Sequence, residues 1–218
     1  MDNIIEVKNV SKRFKENEVI QNVSLAIQKG TICGLVGLNG SGKTVLMKII
    51  CGFVIPEQGE VFVRGKQIGK DCDFPENVGA IIENPGFSQY ISGFQNLKNL
   101  ASIKKQIDDK RIREVMELLG LDPDNKKWVS KYSLGMRQRL GIAQAIMEYQ
   151  DILILDEPMN GLDKRGVADV RQLLLDLKKE GKTIILASHN QADIDVLCDA
   201  VYEMDRGELT KIRDSKMM

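Results

Sequence analysis

Thr31-Ile32-Cys33-Gly34-Leu35-Val36-Gly37-Leu38-Asn39-Gly40-Ser41-Gly42-Lys43-Thr44 runs from an apolar stretch into a loop dense in glycine. Ile32 to Val36 is apolar on both faces, as expected of a parallel strand covered by helices. Gly37 to Thr44 fits G-x-x-x-x-G-K-[ST], and it lies where that pattern has mechanical meaning, between a buried strand and a helical run from Thr44 to Cys51 that Gly52 stops. Glycines let successive backbone N–H groups turn into one concavity, and the helix N-terminus adds partial positive charge. Leu38, Asn39, Gly40, Ser41 and Gly42 therefore read as a phosphate cradle, with Lys43 supplying charge to the β and γ phosphates and Thr44 a hydroxyl to Mg²⁺. An ordinary glycine-rich turn has no need of Lys and Thr directly after its last glycine.

Further along, Ile152-Leu153-Ile154-Leu155-Asp156-Glu157-Pro158 places two acids at the carboxyl end of another buried strand, where open α/β sheets put their ligand sites. Asp156 is the expected Mg²⁺ partner and Glu157 the expected general base or orienter of an attacking water. His189, the only histidine, follows the apolar run Thr183 to Ala187, and a γ-phosphate contact competes there with a merely solvated imidazole. Between these strands Val167, Val170, Leu174 and Leu177 share a helix face, which makes a parallel crossover.

Toward the N-terminus, Ile5 and Val7, then Val23, Leu25 and Ile27, alternate with polar residues, and Glu60 to Arg64 repeats the pattern, predicting antiparallel strands. From about residue 84 to 131 the texture becomes helical. Ile112, Val115, Met116 and Leu119 follow the 3.6 period over Asp109 to Leu119, and Gly120 is placed to end that helix.

A chain of 218 residues, 43% of them hydrophobic, can bury one core. Lys+Arg and Asp+Glu both number 31, so net charge points to neither nucleic acid nor an acidic membrane surface. Cys33, Cys51, Cys72 and Cys198 lack C-x-x-C spacing, which argues against zinc and for reduced, buried thiols. Asp2 and Glu6 flank a short apolar start unlike a secretory leader, and no apolar run reaches the roughly 20 residues of a membrane span. A membrane role is expected only through a partner.

Tyr132-Ser133-Leu134-Gly135-Met136, followed by Arg137-Gln138-Arg139-Leu140, resembles the L-S-G-G-Q signature of ABC ATPases, and the matches extend over nearly the whole chain. The resemblance implies an α/β fold: a single domain over 1–218 with a P-loop NTPase, RecA-like core and a mainly parallel sheet (31–59 and 136–218). It adds an N-terminal antiparallel β subdomain (1–30 and 60–80) and an α-helical insertion (84–135). It implies that Ser133 and Gly135 cradle the γ-phosphate of ATP bound to a second subunit, in a head-to-tail homodimer or a heterodimer with another ABC ATPase. Taken alone, Ser133 reads first as an ordinary helix N-cap, and its order and spacing relative to the other motifs reverse that preference. Phe14 resembles the aromatic that stacks on adenine, against the competing reading of a core phenylalanine. Asn160-Gly161-Leu162-Asp163 resembles the loop that crosses the dimer interface, and His189 the switch histidine. ATP and Mg²⁺ are the implied ligands, and an integral membrane permease at the cytoplasmic face of the cell membrane is the implied partner.

One position departs from the family pattern. Where a glutamine usually leads into the helical insertion, Val78 to Phe87 offers Glu83, and Gln89 comes too late. A carboxylate keeps an oxygen for metal or water but loses the amide donors and repels the γ-phosphate. Glu83 together with Ser-Leu-Gly-Met is similar to the ATPases of bacitracin and lantibiotic resistance, implying export of a peptide antibiotic or similar amphipathic compound. Phe87, Tyr90 and Phe94 stand close in sequence, either as a groove for a helix of the membrane subunit or as subdomain core. The alternative class, a soluble ABC ATPase acting on nucleic acid or ribosomes, would carry a long coiled coil, paired cassettes, zinc insertions or basic patches. None is evident, and no nucleic acid partner is expected.

Overall fold

Apolar–polar alternation at the N-terminus yields two long antiparallel strands, β1 (Asn3–Phe14) and β2 (Asn17–Gln28), in a computed structural model that describes residues 3–83 and 85–214. With β4 (Gln58–Val63) and β5 (Lys66–Gln67) they form a four-stranded antiparallel sheet in the order β2-β1-β4-β5. The apolar runs form a second, six-stranded sheet from β3 (Ile32–Val36), β6 (Val78–Ile81), β7 (Ile152–Asp156), β8 (Thr183–Ala187), β9 (Ala200–Asp205) and β10 (Glu208–Arg213). Its order is β10-β9-β3-β8-β7-β6, parallel throughout except for the β9–β10 hairpin.

Both faces of this sheet are covered, which explains why its central strands show no alternation. Ile152 and Ile154 of β7 and Ile185 of β8 enter one core with the antiparallel sheet and α1 (Lys43–Ile50). Leu153, Leu155, Ile184 and Leu186 enter the other, with α2 (Gly93–Lys104), α3 (Asp109–Leu118), α4 (Leu134–Ile146) and α5 (Lys164–Lys179). A short helix, α6 (Gln191–Leu197), precedes β9.

Three points differ from the sequence expectation. Val78–Ile81, grouped by sequence with the antiparallel region, pairs in parallel with β7, from Val78 opposite Ile152 to Ile81 opposite Leu155. Four residues are too few to show a period, so its partner was not readable. Helix α4 begins at Leu134, ahead of the 135/136 boundary expected between the helical insertion and the core, because the Ser133 hydroxyl accepts the Met136 N–H (3.1 Å) and caps it. Of the four cysteines, all unbridged, Cys72 is only half-buried. Helix α4 also approaches β6 closely: a Cβ on Gly79 would stand 1.9 Å from the Ala145 carbonyl oxygen.

Candidate nucleotide site

The loop between β3 and α1 takes the shape that its glycines permit. Gly37, Gly40 and Gly42 have φ of 141°, 79° and 115°, values closed to most side chains. A Cβ on Gly37 would also meet the Met204 carbonyl oxygen at 2.1 Å. Lys43 folds back over this loop, its Nζ donating to the Gly37 and Leu38 carbonyls at 2.8 and 2.9 Å. Burial lowers the Lys43 ammonium below the usual lysine range, with Asp156 and Glu157 opposing. Among the described residues Ser41 Oγ is buried with no hydrogen-bond partner, a cost that an incoming phosphate oxygen would relieve.

Across the cleft, β7 delivers the two acids. Thr44 Oγ1 donates to Asp156 Oδ2 at 2.8 Å, setting a hydroxyl and a carboxylate side by side. Two hard oxygens beside a phosphate cradle fit Mg²⁺, which binds through one or two protein oxygens and completes its shell with phosphate and water. Glu157 leaves the strand with φ 51°, a left-handed conformation that costs a non-glycine residue about 1–2 kcal/mol and recurs at functional sites. Its N–H donates to the Ala187 carbonyl on β8 (3.0 Å), and its own carbonyl accepts from Asn160 N (3.1 Å) and Gln138 Nε2 (3.1 Å). These bonds aim the side chain at His189, whose Nδ1 lies 2.8 Å from Glu157 Oε2. An ionised carboxylate only accepts, so against an ionised Glu157 the proton of this contact would lie on Nδ1.

Lys43, Thr44, Glu83, Asp156 and Glu157 line one cleft of about 400 Å³, with Val19 and Gln138. Glu83, at φ 60°, pairs with Lys48 at 2.6 Å, one helical turn beyond Thr44. Ser133 and Gly135 line a different cleft of about 440 Å³, with Gly161 and Asp163, that includes none of Lys43, Thr44, Asp156 or Glu157. Phe14 is not a core residue. It is 45% exposed, with Lys12 Nζ 5.3 Å from its ring, and it does not line the first cleft, whose apolar lining comes from Val19, Val45 and Leu134. The Phe87, Tyr90 and Phe94 trio separates: Phe87 and Phe94 pack into the core, while Tyr90 is 72% exposed and sits edge-on to Trp128.

Val19, Lys48 and Gln138 were not foreseen. Each meets the site through a long-range contact that leaves no local pattern.

A glycine cradle between strand and helix, beside a strand tipped by Asp-Glu, defines a P-loop nucleoside triphosphatase. The chain belongs to the ABC transporter family, whose family model matches residues 20–160, and within it is an ATPase subunit. It is 48% identical over 206 residues to the ABC transporter ATP-binding protein YybJ of Bacillus subtilis (strain 168), covering 94% of both chains. It is 38% identical over 213 residues to the bacitracin transport ATP-binding protein BcrA of Enterococcus faecalis, covering 97% of this chain and 69% of that one. The dimeric ABC transporter cassette MJ0796 superposes with a TM-score of 0.86 at 24% identity, covering 96% of this chain and 99% of that one, a likeness of fold. Among the described residues no helix is long and apolar enough to cross a membrane.

Proposed function

We propose that two such chains, identical or one of them a second ABC ATPase, close head to tail around two Mg-ATP and drive a separate integral membrane subunit. The observation that carries this is the division of phosphate-facing groups into two clefts. Lys43, Thr44 and Asp156 line one, and Ser133 and Gly135, at the N-terminus of α4, line the other. One triphosphate does not need both. Ser133 caps its own helix, and in this reading the same helix end faces the partner's γ-phosphate.

Within one protomer Lys43 balances phosphate charge and Phe14 offers its exposed ring to adenine. Thr44 and Asp156, with Glu83 at the cleft mouth, hold Mg²⁺, which when bound neutralises charge on the phosphate oxygens. Glu157 orients and deprotonates the attacking water, and His189 touches the γ-phosphate. Closure is favoured because ATP has more contacts in the closed pair than in the open one.

Export of a peptide antibiotic or similar amphipathic compound, from the cytoplasmic face of the membrane, is supported by the bacitracin transport relative. Docking of the membrane subunit is supported by a groove of about 330 Å³ lined by Phe53, Ala80, Ile82, Pro85 and Gly86. Phe53 is 59% exposed there and leans on the equally exposed Phe74. This groove takes the place of the aromatic trio.

Light scattering tests the closure. Glu157→Gln with ATP should form a stable dimer, and adding Ser133→Glu should abolish it while fluorescent-nucleotide binding persists; a dimer that survives Ser133→Glu rejects the split site. Affinity capture of the tagged chain from detergent-solubilised membranes should recover an integral membrane protein, whereas ribosomes or DNA would replace transport with the alternative class. Steady-state hydrolysis that survives Glu157→Gln but not Glu83→Gln would exchange the roles of those acids.

A further inference from the structure

Asp193, in the first turn of α6, is only 2% exposed, and no step described above uses it. Its Oδ1 accepts Arg171 Nε at 2.8 Å and also Arg171 Nη2, while its Oδ2 accepts the Ser188 hydroxyl at 3.0 Å. Ser188 Oγ in turn accepts the Asn190 N–H at 3.1 Å. The residues before and after His189 are thus bonded to one buried oxygen network, while the imidazole between them projects outward to Glu157 Oε2.

Burying a carboxylate costs several kcal/mol unless it is fully paired, and an apolar pair would pack α6 at least as well. A demand for stability alone therefore does not account for this arrangement. What two guanidinium donors converging on one carboxylate oxygen, Oδ1, supply beyond stability is fixed direction, and they leave Oδ2 to Ser188. Here the direction is transmitted over two bonds to the loop bearing His189, and it originates on α5, the helix that starts after the Asp163 cap beside the second cleft.

We propose that Arg171, Asp193 and Ser188 are positioning residues that hold His189 against Glu157 and so set the orientation of the carboxylate that activates water. This rests on the roles given above to His189 and Glu157, and it adds three residues that touch neither nucleotide nor water.

His189 is the only histidine, so the full-length chain labelled at histidine gives one set of imidazole nitrogen resonances. In an otherwise unaltered chain, Glu157→Gln should shift the Nδ1 resonance. In Ser188→Ala and in Asp193→Asn that response should disappear, and kcat should fall about tenfold with KM for ATP nearly unchanged, as expected when a reacting group is misplaced without loss of binding. Arg171→Lys, which keeps charge but loses the fork, should fall between. An undiminished Nδ1 response in both variants together with unaltered kcat overturns the proposal. Should Asp193→Asn fail to fold, Ser188→Ala, which removes a single hydroxyl, decides alone. If His189→Ala leaves kcat intact, the role given to His189 in hydrolysis fails instead, while the resonance experiment still reports whether the network positions it.

Discussion

Lys48 Nζ stands 2.6 Å from Glu83 Oε1, so the carboxylate that departs from the family pattern is met by an ammonium on α1, one turn past Thr44. An amide at position 83 would need no such partner, whereas a carboxylate near a γ-phosphate does. Lys48→Met should therefore slow ATP hydrolysis in the presence of Glu83 and have less effect in the Glu83→Gln background. Both side chains are partly exposed, at 28% and 60%, so the coupling should be modest, about two- to threefold, and should shrink with added salt. Steady-state rates for the four combinations at two ionic strengths measure it.

Burial depresses the Lys43 ammonium in the folded chain. The folded state therefore binds fewer protons than the unfolded state between the lowered value and the ordinary one of 10.5, and stability without nucleotide should rise with pH across that window. By the same reasoning Lys43→Met, at neutral pH, removes a charge the fold disfavours. On this charge its Tm without nucleotide should increase, offset by loss of the bonds to the Gly37 and Leu38 carbonyls, while the stabilisation produced by ATP vanishes. Differential scanning fluorimetry with and without Mg-ATP checks both signs.

Gln138 is buried and donates to the Glu157 carbonyl at 3.1 Å, making it a strut between α4 and the proposed general base. Gln138→Leu keeps the bulk and loses the bond. A neutral hydrogen bond contributes about 1 kcal/mol, so kcat should drop about fivefold with little change in nucleotide affinity. A fluorescent ATP analogue and an ATPase assay separate the two quantities.

Gly79 and Gly86 offer a matched pair. A Cβ on Gly79 would collide with backbone at 1.9 Å, whereas one on Gly86 would meet nothing within 4 Å among the described residues. Gly79→Ala should cost about 2 kcal/mol or more, because helix and strand must separate to admit a methyl group. Gly86→Ala should leave thermal unfolding unchanged. Melting temperatures of the two proteins provide the comparison.

What could be read from the sequence is what sits in consecutive residues. The cradle from Gly37 to Thr44 and the acids at the end of β7 are each one short segment whose chemistry and position in the sheet are fixed together, and the structure brings both to one cleft. Lys48–Glu83, Gln138–Glu157 and Arg171–Asp193 pair residues on separate elements, and side chains that meet only after folding leave no period or spacing behind. Phe14, Phe87, Tyr90 and Phe94 show the same limit from the other side. Aromatic identity alone did not tell which ring is core and which is surface, since that depends on the element facing it. Ser133 admitted two readings because a helix cap and a phosphate-facing helix end use the same atoms.

Because Gly79 lets α4 rest directly on β6, a displacement of either element would carry the other, and their contact lies beside the Phe53–Pro85 groove. Thirteen residues of α helix extend about 20 Å. A tilt of about 5° at the Ala145 end would thus carry Ser133 through about 1.7 Å at the far tip, more than half the length of a hydrogen bond. Pressure at the groove would then become a displacement large enough to make or break a hydrogen bond at Ser133.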